Sequence, residues 1–263
     1  MKLIAIGSAI LLFTLPAWAG TFIEDFDNNF GVWQELLVRD AVPGSWEIVN
    51  GELQAVSPDS WPRLLTVGDE TWSDYTIEFD VKPLDKSGQD NIVIAARINS
   101  SWVAWCFIGH SPLGDNFSGA MFVAGNFQDP KTFVFSHPKR HRFLKLNRWS
   151  KLKLSVEKNT LNFWVNGGLI IGPIQLPNRR SFERINVIRK EHAAGHGNLE
   201  GFQPWQLNGF QNFLTGAAGF GLSNQTARFD NVVITGDSIP HNAGLSVTPK
   251  AKLATVWGSL KRL

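Results

Sequence analysis

Cysteine is almost absent from this chain of 263 residues: Cys106 stands alone, so no disulfide closes within it. A core stapled by disulfides is thereby excluded, and the lone thiol, inside the apolar run from Trp102 to Ile108, reads as a small core residue. Tyrosine is as rare, with Tyr75 alone. An excess of one charge sign is missing too, since 25 Lys and Arg stand against 23 Asp and Glu. Removing Lys2 leaves 24 basic and 23 acidic residues. The tail from Asp237 holds four basic residues and one acid, so residues 20–236 carry 20 basic and 22 acidic ones. Nothing in that balance points to nucleic acid. No apolar run reaches the about 20 residues that a membrane-spanning helix needs. Helical periodicity is scarce, which excludes a helix bundle.

The apolar run Leu3 to Phe13 follows a positive Lys2 and leads to Ala17-Trp18-Ala19, with small residues at the usual cleavage positions. This pattern predicts a secretory leader cut after Ala19, a secreted or periplasmic protein, and no membrane insertion after cleavage. Residues 237–263, with Pro240 and Pro249, read as a linker or tail.

What is abundant is aromatic: 19 Phe and 11 Trp. Short apolar stretches recur between Gly, Pro, Asn, Asp and Ser clusters, the signature of an all-β sandwich or barrel. Ser45 to Ala55 reads as two strands across Asn50-Gly51, the strongest short hairpin signal. Asp74 to Lys82 alternates, with Tyr75, Ile77, Phe79 and Val81 on one face and Thr76, Glu78, Asp80 and Lys82 on the other. Asn91 to Ile98 and Trp102 to Gly109 are apolar on both faces, as central strands are. Trp149 to Glu157 alternates again, and Leu161 to Val165 turns back at Asn166-Gly167-Gly168. In the closing stretch Gly216 to Gly236, Ala227 and Phe229 fall in phase with Val232 and Ile234 only if one extra residue is inserted at Asp230-Asn231. That predicts a β-bulge which re-aims Asp230. Insertions on this frame are expected near 110–148, including the basic run 137–148, and over 177–215, which opens with Arg179, Arg180, Arg184, Arg189 and Lys190.

The order FIEDF, SWEIVNGELQA, LLTVGDETWSDYTIEFDVKP, IVIAARI, RWSKLKLSVEKNTLNFWVNGG and GFGLSNQTARFDNVVITG resembles the concanavalin A-like lectin/glucanase superfamily. Within it, the chain is similar to laminin-G-like jelly rolls of bacterial exported proteins and to keto-disaccharide hydrolase domains, over Phe22 to Gly236. The resemblance implies a two-sheet antiparallel jelly-roll sandwich with ligands on a concave face and the first and last strands close together. It also implies that Asp25 and Asp230 converge on a structural Ca²⁺, which takes several oxygens at about 2.3–2.6 Å. Their alternative roles are a turn cap and a hydrogen-bonded bulge.

Sugar binding has the fullest set of candidates. Asn162, Trp164 and Asn166 share one strand face, an indole platform flanked by two amides. Arg97 opposes Ile94, Ala96 and Ile98 and is expected to project onto the same open face. Trp61, Trp105 and Trp205 are further platforms, with core packing as the alternative for each. The basic stretches would make a rim for an anionic glycan, or else are solvated loops. Glu78 and Asp80, two residues apart on one strand face, fit the roughly 5–9.5 Å carboxylate spacing of glycosidases. Lys82 shares that face, and a third acid of the laminarinase-type pattern is missing, so a solvated strand face is the rival reading. The Tyr-based lyase chemistry of the fold has only Tyr75, in a core-facing position. His192 and His196 are spaced for one helix face, but Gly195 and Gly197 predict a polar loop instead. The residues thus favour an exported carbohydrate-binding module without an evident catalytic centre. A glycosidase-like enzyme using Glu78, Asp80, Glu183 or Glu191, and an adhesion module tethered by its tail, are the alternatives.

Overall fold

The computed structural model describes residues 20–240 apart from positions 28, 39, 111–117, 197–201 and 211, with backbone alone at 86–89. The expected leader, and the tail from 241 onward, lie outside the described residues. Thirteen strands and one helix follow one another. They are β1 Gly20–Glu24, β2 Gln34–Leu37, β3 Ser45–Val49, β4 Glu52–Ser57, β5 Arg63–Val67, β6 Tyr75–Asn99 and β7 Trp102–His110. After these come β8 Ser118–Asn126, β9 Asp129–Arg140, β10 Ser150–Glu157, β11 Thr160–Val165, β12 Gly168–Gln175, α1 Arg179–Gly195 and β13 Ala217–Gly236. Among the described residues no helix is long and apolar enough to cross a membrane.

Two long strands organise the rest. β6 and β13 pair antiparallel from Ala217↔Ile98 to Gly236↔Tyr75, and each borders two sets of neighbours. The first half of β6 carries β10, β11 and β12, while the second half of β13 carries β4-β3 and then β1. The second half of β6 carries β7, β8 and β9, and the first half of β13 carries β5-β2. The two groups face each other across one core, in which Ile77, Phe79, Leu154 and Phe163 of the first meet Ile94, Cys106, Phe122 and Phe220 of the second. Phe220 stands 4.8 Å from Phe229 and 5.2 Å from Phe79 between ring centroids, and both contacts are tilted. This is a jelly-roll sandwich, as the resemblance implies. The first and last strands pair, Glu24 opposite Val232.

The bulge forms where the phase break places it. Asp230 pairs Asp80 and Val233 pairs Glu78, so three steps on β13 meet two on β6, and Asn231 takes φ 53°. Ala227, Phe229, Val232 and Ile234 then all lie fully buried. Asn50 and Gly51, at φ 58° and 74°, close the two-residue β3–β4 hairpin that the Asn-Gly signal predicts.

A second apolar layer covers the outer face of the second group. Leu64, Val93, Ala95, Val103, Trp105, Phe107 and Val123 are buried there under Val38, Phe127 and Phe133. That explains why β6 and β7 are apolar on both faces: the core covers one face of their sheet and this layer covers most of the other.

Candidate functional site

The outer layer is not complete, and its gap is an aromatic-lined cleft. β6 contributes Asn91 and Val93, β7 Trp105 and Phe107, β9 Phe133 and Phe135, and β13 Ser223, with Ser60, Trp61 and Pro62 above them. Its cavity volume is only about 70 Å³, so it is a shallow cleft open to solvent, which can seat the face of a ring but not enclose a whole ligand. Trp105 forms the floor, edge-on to Phe127 at 5.2 Å and to Phe133 at 4.9 Å. Trp61 stands at the rim, 40% exposed and 5.9 Å from Phe133. Its loop is pinned by Asp59, whose carboxylate accepts the Trp61 and Val42 backbone N–H groups at 3.0 and 2.7 Å. The polar groups of the lining are amides and hydroxyls. Asn91 Nδ2 donates to Ser223 Oγ at 3.4 Å, and Asn91 Oδ1 is buried with no hydrogen-bond partner. Among the described residues no charged side chain lines the cleft.

The residues expected to bind sugar are dispersed. Trp105 lines the cleft, but Trp164, half-buried, lies on the outer face of the first group beneath Lys153, whose Nζ is 5.6 Å from the indole. Asn162 shares that face. Asn166 does not: it sits at φ 49° in the turn after β11, and its Oδ1 accepts the Lys151 N–H at 2.8 Å. Trp205 packs on α1, its ring centroid 6.1 Å from that of Phe182.

Arg97 corrects the expectation of an outward cation, for it is fully buried. The ladder slips between Ala96 and Asn99, and Arg97 takes φ 55°. That slip exchanges the faces, so Ile98 joins the outer layer and Arg97 turns inward. Its guanidinium donates to the Leu214 carbonyl, to the Lys158 carbonyl at 3.1 Å and to Asp74 Oδ1 at 3.1 Å. Its backbone N–H donates to Tyr75 Oη at 2.8 Å. Tyr75 Oη in turn donates to the Ala217 carbonyl at 2.8 Å, and burial pushes the phenol well above its ordinary pKa. A base role for that tyrosine has no support.

Glu78 and Asp80 lie together on the outer face of the first group, as the alternation predicts, and share one ammonium: Lys151 Nζ is 3.7 Å from Glu78 and 3.1 Å from Asp80. Asp25 Oδ1 accepts the Asp27 N–H at 3.3 Å, and Asp230 Oδ1 accepts the Asn231 N–H at 2.7 Å. These are turn and bulge contacts. Among the described residues no group of three or more His, Cys, Asp or Glu is arranged to hold a metal ion.

The polar loop expected around His192 and His196 is corrected: residues 179–195 are helix α1. Asn178 and Ser181 form a reciprocal capping box, and Phe182 is buried against Trp102 and Phe210, with ring centroids 5.4 and 5.1 Å apart. Gly195 ends the helix rather than interrupting it. The two imidazoles accordingly lie side by side, 4.3 Å between centroids and tilted by 40°. Glu183 and Glu191 are exposed on this helix.

One pair escaped the sequence reading. His110 Nδ1 lies 2.6 Å from Asp90 Oδ1; the carboxylate side chain is 4% exposed and the imidazole 30%. Phe143 packs on the ring at 4.6 Å. A buried carboxylate that fixes a more open imidazole is an arrangement suited to proton transfer. The two residues are 20 apart, and only the β6–β7 register brings them together.

Solved structures of similar fold include a Bacillus subtilis protein of unknown function with a galectin-like fold. It is 10% identical with a TM-score of 0.51, over 82% of this chain and 96% of that one. A variant of the GH43 protein BlXynB from Bacillus licheniformis is 12% identical with a TM-score of 0.50, over 81% of this chain and 39% of that one. The carbohydrate-binding module CBM66 from Bacillus subtilis is 14% identical with a TM-score of 0.49, over 76% and 93%. No curated protein sequence matches the chain. The model of one family, the 3-keto-alpha-glucoside-1,2-lyase-like domain, matches residues 21–235. With nearly all of the sandwich inside that match, the chain belongs to the 3-keto-alpha-glucoside-1,2-lyase-like domain family.

Proposed function

We propose that this protein is an exported carbohydrate-binding jelly roll that stacks one sugar ring against Trp61 over the shallow cleft floored by Trp105. The observation that carries this is an exposed indole at the rim of an aromatic-lined cleft whose polar lining is amide and hydroxyl. Pyranose rings have an apolar C–H face that stacks on indoles and hydroxyls that pair with amides. With no charge among the described residues of the lining, the preferred ring is neutral, because an ionised group would lose its water without gaining a counter-charge there. Family membership and the fold support a carbohydrate ligand. The leader pattern supports export.

Affinity electrophoresis against neutral polysaccharides, with calorimetry on the oligosaccharide of the best one, tests the reading. Trp61→Ala is expected to weaken Kd by about tenfold, since an aromatic stack is worth roughly 0.5–1.5 kcal/mol beyond its buried area. Thermal unfolding should hardly change, because Trp61 lies at the rim. Unchanged affinity in that variant, or retardation by no neutral glycan, would exclude the cleft.

The Asp90–His110 pair favours a second reading, as a lyase on a 3-keto-glucoside. There a base removes the C2 proton, which the C3 ketone acidifies. The electron pair forms the C1–C2 double bond, the C1–oxygen bond breaks, and the leaving oxygen takes a proton. His110 is placed for such a base, oriented by Asp90. The strand alternation sets this reading second: Asp90 falls in phase with Ile92 of the inner core and Asn91 with Val93 of the cleft, so the pair and the cleft occupy opposite faces of β6. If it holds, wild-type protein releases the aglycone from a 3-keto-glucoside and His110→Ala loses at least about a hundredfold in rate, the usual share of a general base. No release by the wild type would eliminate it.

A further inference from the structure

The helix side of the molecule carries a second cavity, of about 540 Å³, between α1 and the segment at 202–203. Ile188, Arg189, His192, Ala193, His196, Phe202 and Gln203 line it, and among the described residues no carboxylate does.

Its chemistry is rich in donors. The Arg189 guanidinium lies over two rings, 5.6 Å from the centroid of Phe202 and 4.4 Å from that of Trp205. One guanidinium nitrogen donates to Asn186 Oδ1 at 3.2 Å, and Arg189 makes no ion pair among the described residues. Asn186 in turn fixes the indole segment. Its Oδ1 accepts the Trp205 N–H at 2.9 Å and its Nδ2 donates to the Trp205 carbonyl at 3.3 Å. Trp205 Nε1 is buried with no hydrogen-bond partner. On the helix wall, His192 and His196 present their rings side by side, with His196 Nδ1 2.9 Å from the His192 carbonyl. A guanidinium over aromatic rings, with no carboxylate partner among the described residues, is a fork open to a planar two-oxygen anion.

We infer that this cavity is a carboxylate site for a uronic acid residue, with Arg189 as its anchor and His192 and His196 as its second wall. The volume accommodates a sugar ring, and Phe202 and Ile188 offer apolar surface to its C–H face. A sulfate has the charge but not the planar pair of oxygens, and glucose has the ring but not the charge. The site lies on α1 rather than on the sheet, so it does not depend on the cleft at Trp61.

The test is a titration of the full protein at one fixed pH and ionic strength, following the imidazole signals by NMR. Sodium glucuronate, sodium sulfate and glucose are the probes. Glucuronate is expected to shift the His192 and His196 signals saturably, and sulfate and glucose to need at least about tenfold more. Arg189→Gln should weaken glucuronate by about tenfold or more. Arg189→Lys, which keeps the charge and loses the fork, should recover only part of it. Trp61→Ala should leave this titration unchanged while it weakens the neutral glycan, so the two sites fail separately. Equal response to sulfate, no response to glucuronate, or full binding by Arg189→Gln would each overturn the assignment. If Arg189→Gln unfolds, His196→Ala at the exposed helix end replaces it, with a several-fold loss expected and an unchanged affinity counting against the site.

Discussion

Replacing Arg97 with methionine is expected to lower stability by about 3 kcal/mol, because two carbonyls would lose their donor at the end of the core. The Leu214 and Lys158 carbonyls both receive the Arg97 guanidinium, and the side chain has no exposed surface. Asp74 is left better off than the carbonyls, since it is 48% exposed and its Oδ1 also accepts the Lys158 N–H at 2.7 Å. For a chain of this size the change corresponds to a fall of roughly 6–12 °C in Tm. Arg97→Lys should recover little, since one ammonium cannot span three acceptors that a planar fork reaches together. Glycan affinity of the folded fraction should be unaltered. The reverse pattern, an unchanged Tm with lost glycan binding, would make Arg97 a ligand group instead.

Phe182→Ala should cost about 3–5 kcal/mol locally, the usual price of emptying a buried phenylalanine site. Phe182 is the single fully buried residue of α1. Its ring meets Trp102, Trp205, Phe210 and Phe213. Seventeen residues make a marginal helix without tertiary contacts. The helix is therefore expected to undock before the sandwich melts. Hydrogen exchange would show it, with protection lost over 179–195 and kept in β6 and β13. The same variant should lose the glucuronate response while it keeps the neutral-glycan cleft. Simultaneous loss of protection in both regions would mean that helix and sandwich unfold as one unit.

Much of the frame is legible in the sequence because its signals are local. The alternation in Asp74 to Lys82 fixes which side chains face the core, and Asn50-Gly51 fixes a turn. The phase break at Asp230-Asn231 fixes the bulge, since a side chain can change faces only by an inserted residue. Arg97 defeats the same rule. The alternation through Ile94, Ala96 and Ile98 continues only on paper, for the ladder slips at Arg97, and no residue pattern nearby marks the slip. Helix α1 is partly legible in retrospect. Asn178 with Ser181, and Phe182, Ile185, Arg189 and Ala193 at helical spacing, outweigh a glycine that serves as its end.

By itself, then, the sequence determined an aromatic-rich all-β chain with most of its strands, the Asn50-Gly51 turn and the bulge, because each of these rests on neighbours a few residues apart. Only the tertiary structure decided which cations and indoles are open. Trp61 meets Phe133, Arg97 meets Leu214 and Arg189 meets Trp205. Whether a polar group faces solvent, a ligand or the core is set by partners brought together from distant segments, and such distances leave no trace in local periodicity.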